Sequence, residues 1–380
     1  MENYNKLNIA ILGGSLKSAV GSAHVSALKL TSKFNIVSGC FSRDKQLNKE
    51  TGLKYQLNNE RIYDSLEELI NFEKNKIDAI LILTPTNQHK DQLILCLKNN
   101  IPIICEKALA SSLAEADEVK KIQQQNNGFL VVIYNYLGYP MLRELKHLIK
   151  TNKFGKIQHI QIEMPQEGFK RLNSNSEPII PQDWRLHDQV IPTISLDLGV
   201  HLHMIVRYLT GEFVQSICGK QESLGNFSNV IDNVNCLINY SNDISCTMWY
   251  SKIALGKRNG MKINIYGEKL SAEWVQEYPE YLTIANQYGN ITKLDRGSNE
   301  IFVCNEPRYT RFKSGHPAGF IEAFANYYED IAEALLDYKN SNKVKIYNEC
   351  FGVEESIEGL ILLEAIASSS LSKQWINIKQ

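Results

Sequence analysis

Three groups of residues have the side chains and spacing that chemistry could use. Glu106-Lys107 closes the apolar run Ile101 to Lys107, IPIICEK. Lysine is rarely put at the end of a buried strand for packing. Beside a substrate hydroxyl it can donate a hydrogen bond and stabilise a growing alkoxide. A surface lysine paired with a neighbouring acid fits the same letters. Asp197 and His201 stand four apart in an expected helix, on one face. A carboxylate beside an imidazole can orient it and tune its basicity, and a purely structural hydrogen bond would use the same pair. His203, two further on, points elsewhere. The third group is Leu7 to Ala27, LNIAILGGSLKSAVGSAHVSA, which reads as strand, glycine turn and helix. Gly13, Gly14 and Gly21 would let backbone N–H groups and a helix N-terminus approach a phosphate. Ser15 stands where G-x-G-x-x-G has its second glycine, and the loop is longer than usual. An ordinary βα turn is the alternative.

Such groups need elements to hold them. Asn8 to Leu12, Phe34 to Phe41, Asp78 to Thr84, Ile101 to Lys107 and Phe129 to Asn135 read as strands. His89 to Lys98 reads as a helix. Ser65 with Glu68, and Ser112 with Glu115, have the spacing of capping boxes. Strands alternating with helices imply a doubly wound parallel sheet that binds ligands at its carboxyl edge. Gly13, Ser42, Arg43, Thr84, Pro85, Glu106, Lys107 and Asn135 fall at that edge. An acidic residue usually follows the second strand to hold ribose hydroxyls, whereas here Ser42-Arg43 precedes Asp44. An arginine there suits a ribose 2′-phosphate and leans towards NADP; Asp44 keeps NAD open.

Beyond Asn135 the texture changes. Met141 to Thr151, Asp197 to Leu209, Phe320 to Leu336 and Val353 to Ser368 read as helices. Lys156 to Met164, Val214 to Lys220, Asn233 to Asn239, Ser245 to Ser251, Met261 to Tyr266, Ala272 to Gln276 and Tyr281 to Ala285 read as strands of an antiparallel or mixed sheet. The loop from Gln166 to Pro192 carries Trp184-Arg185, which offers a stacking face or an anchor for a polar substrate. Tyr134, Asn135 and Tyr139 could line a cleft between domains, and His316-Pro317 reads as a turn.

Composition bounds the partners. With 380 residues the chain expects two domains. Its 41 basic and 42 acidic residues give a net charge of -1, without the basic face that nucleic acid needs. The polar start MENYNKLN lacks a signal-peptide pattern and no run is long enough for a bilayer, so the expected location is the cytoplasm. The eight cysteines are scattered and read as buried thiols; no clustered metal ligands are present in the sequence pattern.

Together the glycine turn at Gly13, LTPTNQH (Leu83 to His89), CEKALA (Cys105 to Ala110), DLGVH (Asp197 to His201) and GHPAGFIEAFANYYED (Gly315 to Asp330) resemble the glucose-fructose oxidoreductase / inositol dehydrogenase / MocA family over nearly the whole chain. The resemblance implies an α/β Rossmann domain, residues 1–135, and an α+β domain with a large open, mostly antiparallel sheet, residues 136–380. It implies hydride exchange between NAD or NADP and a ring hydroxyl of a sugar or cyclitol, with reduction of a keto sugar or a nucleotide-sensing role as alternatives, and a homodimer or homotetramer. Lys107, Asp197 and His201 match the catalytic positions. Gly13, Gly14, Ser15, Gly21, Ser42, Arg43, Thr84, Pro85, Asn87, His89, Glu106, Lys107 and Asn135 would meet the cofactor. Lys107, Tyr139, Trp184, Arg185, Asp197 and His201 would meet the substrate. Either His201 or Lys107 serves as base. The chain departs from the family at Ser15, at Ala108 (usually proline) and at Met204 (often aspartate).

Overall fold

The computed structural model describes residues 6–18, 20–341 and 349–378; the start Met1–Asn5 and Ala19 of the glycine loop lie outside them. In chain order the elements are β1 Leu7–Gly13, α1 Gly21–Thr31, β2 Phe34–Cys40, α2 Lys45–Lys54, α3 Leu66–Glu73, β3 Ala79–Leu83, α4 His89–Lys98, β4 Ile103–Glu106, α5 Leu113–Gln125 and β5 Leu130–Ile133. They continue with α6 Pro140–Lys150, β6 Ile157–Pro165, α7 Val200–Thr210, β7 Val214–Glu222, β8 Asn233–Tyr240, β9 Ile244–Ser251, β10 Lys262–Gly267, β11 Leu270–Val275, β12 Leu282–Asn286 and β13 Ile291–Leu294. Last come α8 Phe320–Ser341, α9 Val353–Ser372 and β14 Ile376–Asn377.

The chain divides into two compact units. The first comprises Met1–Gly138 and Phe320–Ile357, the second Tyr139–Gly319 and Glu358–Gln380. The change of unit therefore comes three residues after the expected boundary at Asn135, and the chain later returns to the first unit.

The first unit is built on a parallel sheet ordered β2-β1-β3-β4-β5. Among the described residues it has five strands, one for each of the five runs expected; the Phe129 to Asn135 run is β5. Every residue of β3, AILIL, is buried, as a strand covered on both faces requires. The chain runs outward from β1 to β2 and then crosses to β3 on the other side. The carboxyl ends of β1 and β3 thus flank the switch point where such sheets bind ligands. Both capping serines act: Ser65 Oγ accepts from Glu68 N at 3.2 Å and Ser112 Oγ from Glu115 N at 3.3 Å. Each glutamate reaches back one residue before the cap, to Asp64 N and Ser111 N.

The second unit has a nine-stranded sheet, β13-β12-β11-β10-β6-β9-β8-β7-β14. It is mixed: β6 and β9 pair in parallel and the other neighbours antiparallel. From Val234 to Tyr240, β8 alternates buried and exposed residues, so one sheet face packs inward and the other is open. The stretch between β13 and α8 is irregular and held by buried charges. Glu144 accepts the N–H groups of Phe302, Val303 and Cys304. Arg296 pairs with Glu280 at 2.7 Å and donates to the carbonyls of Tyr309 and His316. Among the described residues no helix is long and apolar enough to cross a membrane.

Candidate active site

In the first unit a cavity of about 320 Å³ opens at the carboxyl ends of β1, β2 and β3, lined by Gly13, Ser42, Arg43, Asp64, Thr84 and Gln88 among others. Gly13 and Gly14 turn the chain with φ of 81° and 67°, which favours glycine. A Cβ at Gly21 would lie 2.4 Å from the Gly14 carbonyl oxygen. Gly21 therefore performs the closing task of the glycine motif, letting α1 begin directly against the turn despite the longer loop. That loop is pinned: Tyr55 donates its hydroxyl to Gly14 O at 3.2 Å, and Leu16 N donates to Thr51 Oγ1 at 3.3 Å. Ser15 O accepts from Ser18 N at 2.7 Å.

Around the cavity, Arg43 donates to Gln88 Oε1 at 3.1 Å. Asp44 is spent as the N-cap of α2, where Oδ1 accepts from Gln46 N and Leu47 N. Thr84 Oγ1 donates to Gln92 Oε1 at 2.5 Å. Pro85 opens the short turn Thr86–Gln88, with Asn87 exposed at its centre. Asn135, just beyond β5, is 3% exposed and its Nδ2 has no hydrogen-bond partner. A buried amide donor left unmet is costly, so a carbonyl acceptor from a bound group fits there. The glycine turn, the cavity and this orphaned donor together suit a dinucleotide. At the end of β4, Glu106 is buried and accepts from Lys107 N at 3.1 Å; the Lys107–Ala108 peptide is cis.

In the second unit, Asp197 lies in a π-turn, Ser195–Gly199, that leads into α7, and His201 is buried in the first turn of that helix. The Asp197 Oδ2 atom accepts from Arg185, whose guanidinium also stacks 4.4 Å from the Trp184 ring. The Trp184 indole donates to Gln182 at 3.1 Å. Lys252 Nζ lies 2.7 Å from the same Asp197 oxygen and 4.9 Å from the Phe169 ring. The Asp197 carboxylate is thus flanked by two cationic side chains. The loop ahead of α7 is fixed by Asp188, which accepts from Thr193 and from Ile231 N.

Two family models cover more than half of this chain. The oxidoreductase family with an NAD-binding Rossmann fold matches residues 7–134, and the GFO/IDH/MocA C-terminal domain matches residues 142–273. The chain belongs to the GFO/IDH/MocA family. It is an NAD-binding oxidoreductase of that family. It is 28% identical to the oxidoreductase YfiI of Bacillus subtilis (strain 168) over 98% of this chain and 97% of the relative. It is 26% identical to myo-inositol 2-dehydrogenase of Thermotoga maritima, over 52% of this chain and 54% of that protein. In fold it matches an inositol dehydrogenase homolog from Azotobacter vinelandii, solved with NADH and myo-inositol, with a TM-score of 0.87 at 23% identity and 98% of each chain covered.

Within this GFO/IDH/MocA chain several residues do other work than expected. His89 is fully buried, with Nδ1 2.8 Å from Ala108 O and Nε2 2.8 Å from Thr84 O. Each ring nitrogen thus faces a backbone carbonyl oxygen, one at the end of β3 and one after Lys107, and the neutral imidazole can donate to one of the two. Burial holds its imidazole below the ordinary range. Tyr139 is also fully buried, packed on Trp274 at 5.2 Å and accepting from Gln276 at 2.8 Å. It packs in the core of the second unit. Tyr134 is buried likewise, its hydroxyl 3.0 Å from Ser356 Oγ. Met204 is buried in α7 close to Gly359 of α9. Lys252 was missed: it directly follows β9, whose residues mostly alternate between buried and more exposed, and the signal was a lysine closing that strand.

His203 has a measurable consequence. It is fully buried, neither ring nitrogen has a hydrogen-bond partner, and desolvation, with Arg207 adding, pushes its pKa from 6.5 to about 3. The unfolded chain therefore binds a proton between those values that the folded chain does not. Stability should fall as pH drops through that window, by about tenfold per pH unit in the unfolding equilibrium. His203→Leu should flatten the dependence of Tm on pH there; identical slopes in both proteins would remove His203 from the account.

Proposed function

We propose that this chain exchanges hydride between a nicotinamide dinucleotide and a ring hydroxyl of a sugar or cyclitol. The bound nicotinamide would supply the hydride acceptor or donor. Gly13, Gly14, Ser42, Arg43, Thr84 and Asn135 are the residues proposed to hold it. The roles proposed are proton acceptor for His201 or Lys107, stabiliser of a growing alkoxide for Lys107, and for Asp197 a hold on His201 or on a second hydroxyl. What carries this reading is the polar cluster of Asp197 with Arg185 and Lys252 in the second unit, since a ligand rich in hydroxyls needs fixed donors and acceptors. The relatives named as myo-inositol and scyllo-inositol 2-dehydrogenases support it. The test is a screen of inositols, sugars and keto sugars with NAD, NADP and their reduced forms, read by nicotinamide absorbance. Oxidation of a polyol supports the reading. Turnover only of carbonyl compounds with reduced cofactor would favour the reductive alternative, and cofactor binding without turnover of anything would favour a sensor.

Use of NADP is part of the proposal. The acid that would hold ribose hydroxyls, Asp44, is committed to its helix cap, and Arg43 is exposed beside the cavity. Arg43→Ala should lower kcat/KM for NADP by about tenfold and leave NAD nearly unchanged. Equal effects on both cofactors would refute it. Self-association through the open sheet face, which exposes Leu237 and Tyr266, is proposed as well. Light scattering should give two or four times the 43.3 kDa of one chain, and a mass of one chain would exclude it.

A further inference from the structure

Behind Lys107 lies a buried polar chain drawn from three distant parts of the first unit. Glu106, in β4, has one carboxylate oxygen 3.1 Å from Lys107 N and the other 3.0 Å from His24 Nε2, in ion-pair range although off the line of an aligned hydrogen bond. His24, on α1, is fully buried, and its Nδ1 is 2.7 Å from the hydroxyl of Tyr328, on α8. Tyr328 is 1% exposed. Phe324, also on α8, packs edge-on against the His24 ring at 4.7 Å. Nδ1 is placed to accept from the tyrosine hydroxyl, while Nε2 lies beside the carboxylate without an aligned hydrogen bond.

Burying a carboxylate, an imidazole and a phenol together is costly unless each is matched, and apolar residues of similar volume would commonly stabilise the fold as well or better. The polar chain therefore needs another explanation. It ends on a single backbone N–H, that of Lys107, at the point where the chain leaves β4. We infer that Tyr328 and His24 fix the Glu106 carboxylate, and that Glu106 fixes the backbone from which the Lys107 side chain departs. All three are positioning residues for Lys107. For turnover this rests on the reading of Lys107 given above; the backbone arm of the test does not.

Amide exchange of Lys107, read by mass spectrometry with residue-level fragmentation, tests the linkage directly. His24→Leu should speed that exchange by about tenfold, and Tyr328→Phe by less, with Ile103 to Cys105 unchanged. His24→Gln, whose amide can present a donor near the position of Nε2, should restore protection. In turnover assays His24→Leu should lower kcat by about tenfold while KM for the dinucleotide stays within about threefold, and His24→Gln should recover most of the loss. Unchanged Lys107 exchange in both His24→Leu and Tyr328→Phe would overturn the inference. So would exchange that rises equally along β4, which would mark general loosening. Full turnover in Lys107→Ala would instead refute the catalytic reading of Lys107 and leave the exchange result to decide the positioning.

Discussion

Lys107→Ala should lower turnover by about 10²- to 10⁴-fold, with dinucleotide affinity little changed. The expectation follows from where the residue stands. β4 is buried at all four positions and lies between β3 and β5, so its carboxyl end is held on both sides. Lys107 is the first residue past that end, and its backbone is fixed by Glu106. Truncation removes the ammonium and leaves the strand intact, so the loss should fall on kcat more than on cofactor binding. Steady-state kinetics on the best polyol, with cofactor affinity from fluorescence titration, measures both. The parallel His201→Ala variant separates the proton acceptor from the oxygen stabiliser. Turnover near wild type in either variant removes that residue from the mechanism.

Arg296→Met should destabilise the protein by about 3–5 kcal/mol. Arg296 and Glu280 have side chains only 3% and 7% exposed. The guanidinium meets Glu280 and the carbonyls of Tyr309 and His316, while the second Glu280 oxygen accepts from Ala318 N at 2.8 Å. This one arginine thus satisfies backbone groups along a stretch that has no helix or strand to satisfy them. Methionine would fill the space but leave a buried carboxylate without its counter-charge and remove the arginine's donors to the backbone carbonyls. Urea unfolding should show a lower midpoint for the variant; a change below about 1 kcal/mol would mean that water takes over the arginine's contacts.

Elements marked by apolar runs or alternation were legible in the sequence. Asp78 to Thr84 became β3, and the seven strands expected after Asn135 are all present within two residues of their expected starts. α2 was not read because KQLNKETGLK has no apolar stripe; it buries Asn48, Thr51 and Gly52. β13 was missed because three of its four residues are exposed, and β14 because it is only two residues long. In the site, Arg185 and Asp197 could each be named but not joined, since an irregular loop separates them and periodicity says nothing across it. Tyr139 follows the last parallel strand, and its burial against Trp274 could be seen only in the packing. The polar chain behind Lys107 was out of reach for the same reason: His24 and Tyr328 are 304 residues apart.

That separation also bears on how the protein is made. A nascent chain that has emerged only as far as Gly138 already holds all five parallel strands. It still lacks the Tyr327 hydroxyl that meets Val132 O at 2.9 Å, Phe351 paired with Val132, and the Phe324 and Tyr328 rings that cover His24. Vectorial synthesis, which commonly completes the N-terminal domain first, cannot do so here. The dinucleotide-binding unit matures only after the ribosome has delivered α8, when nearly the whole polypeptide has been translated. Until then the apolar flank of α1 is a surface for chaperones to shield.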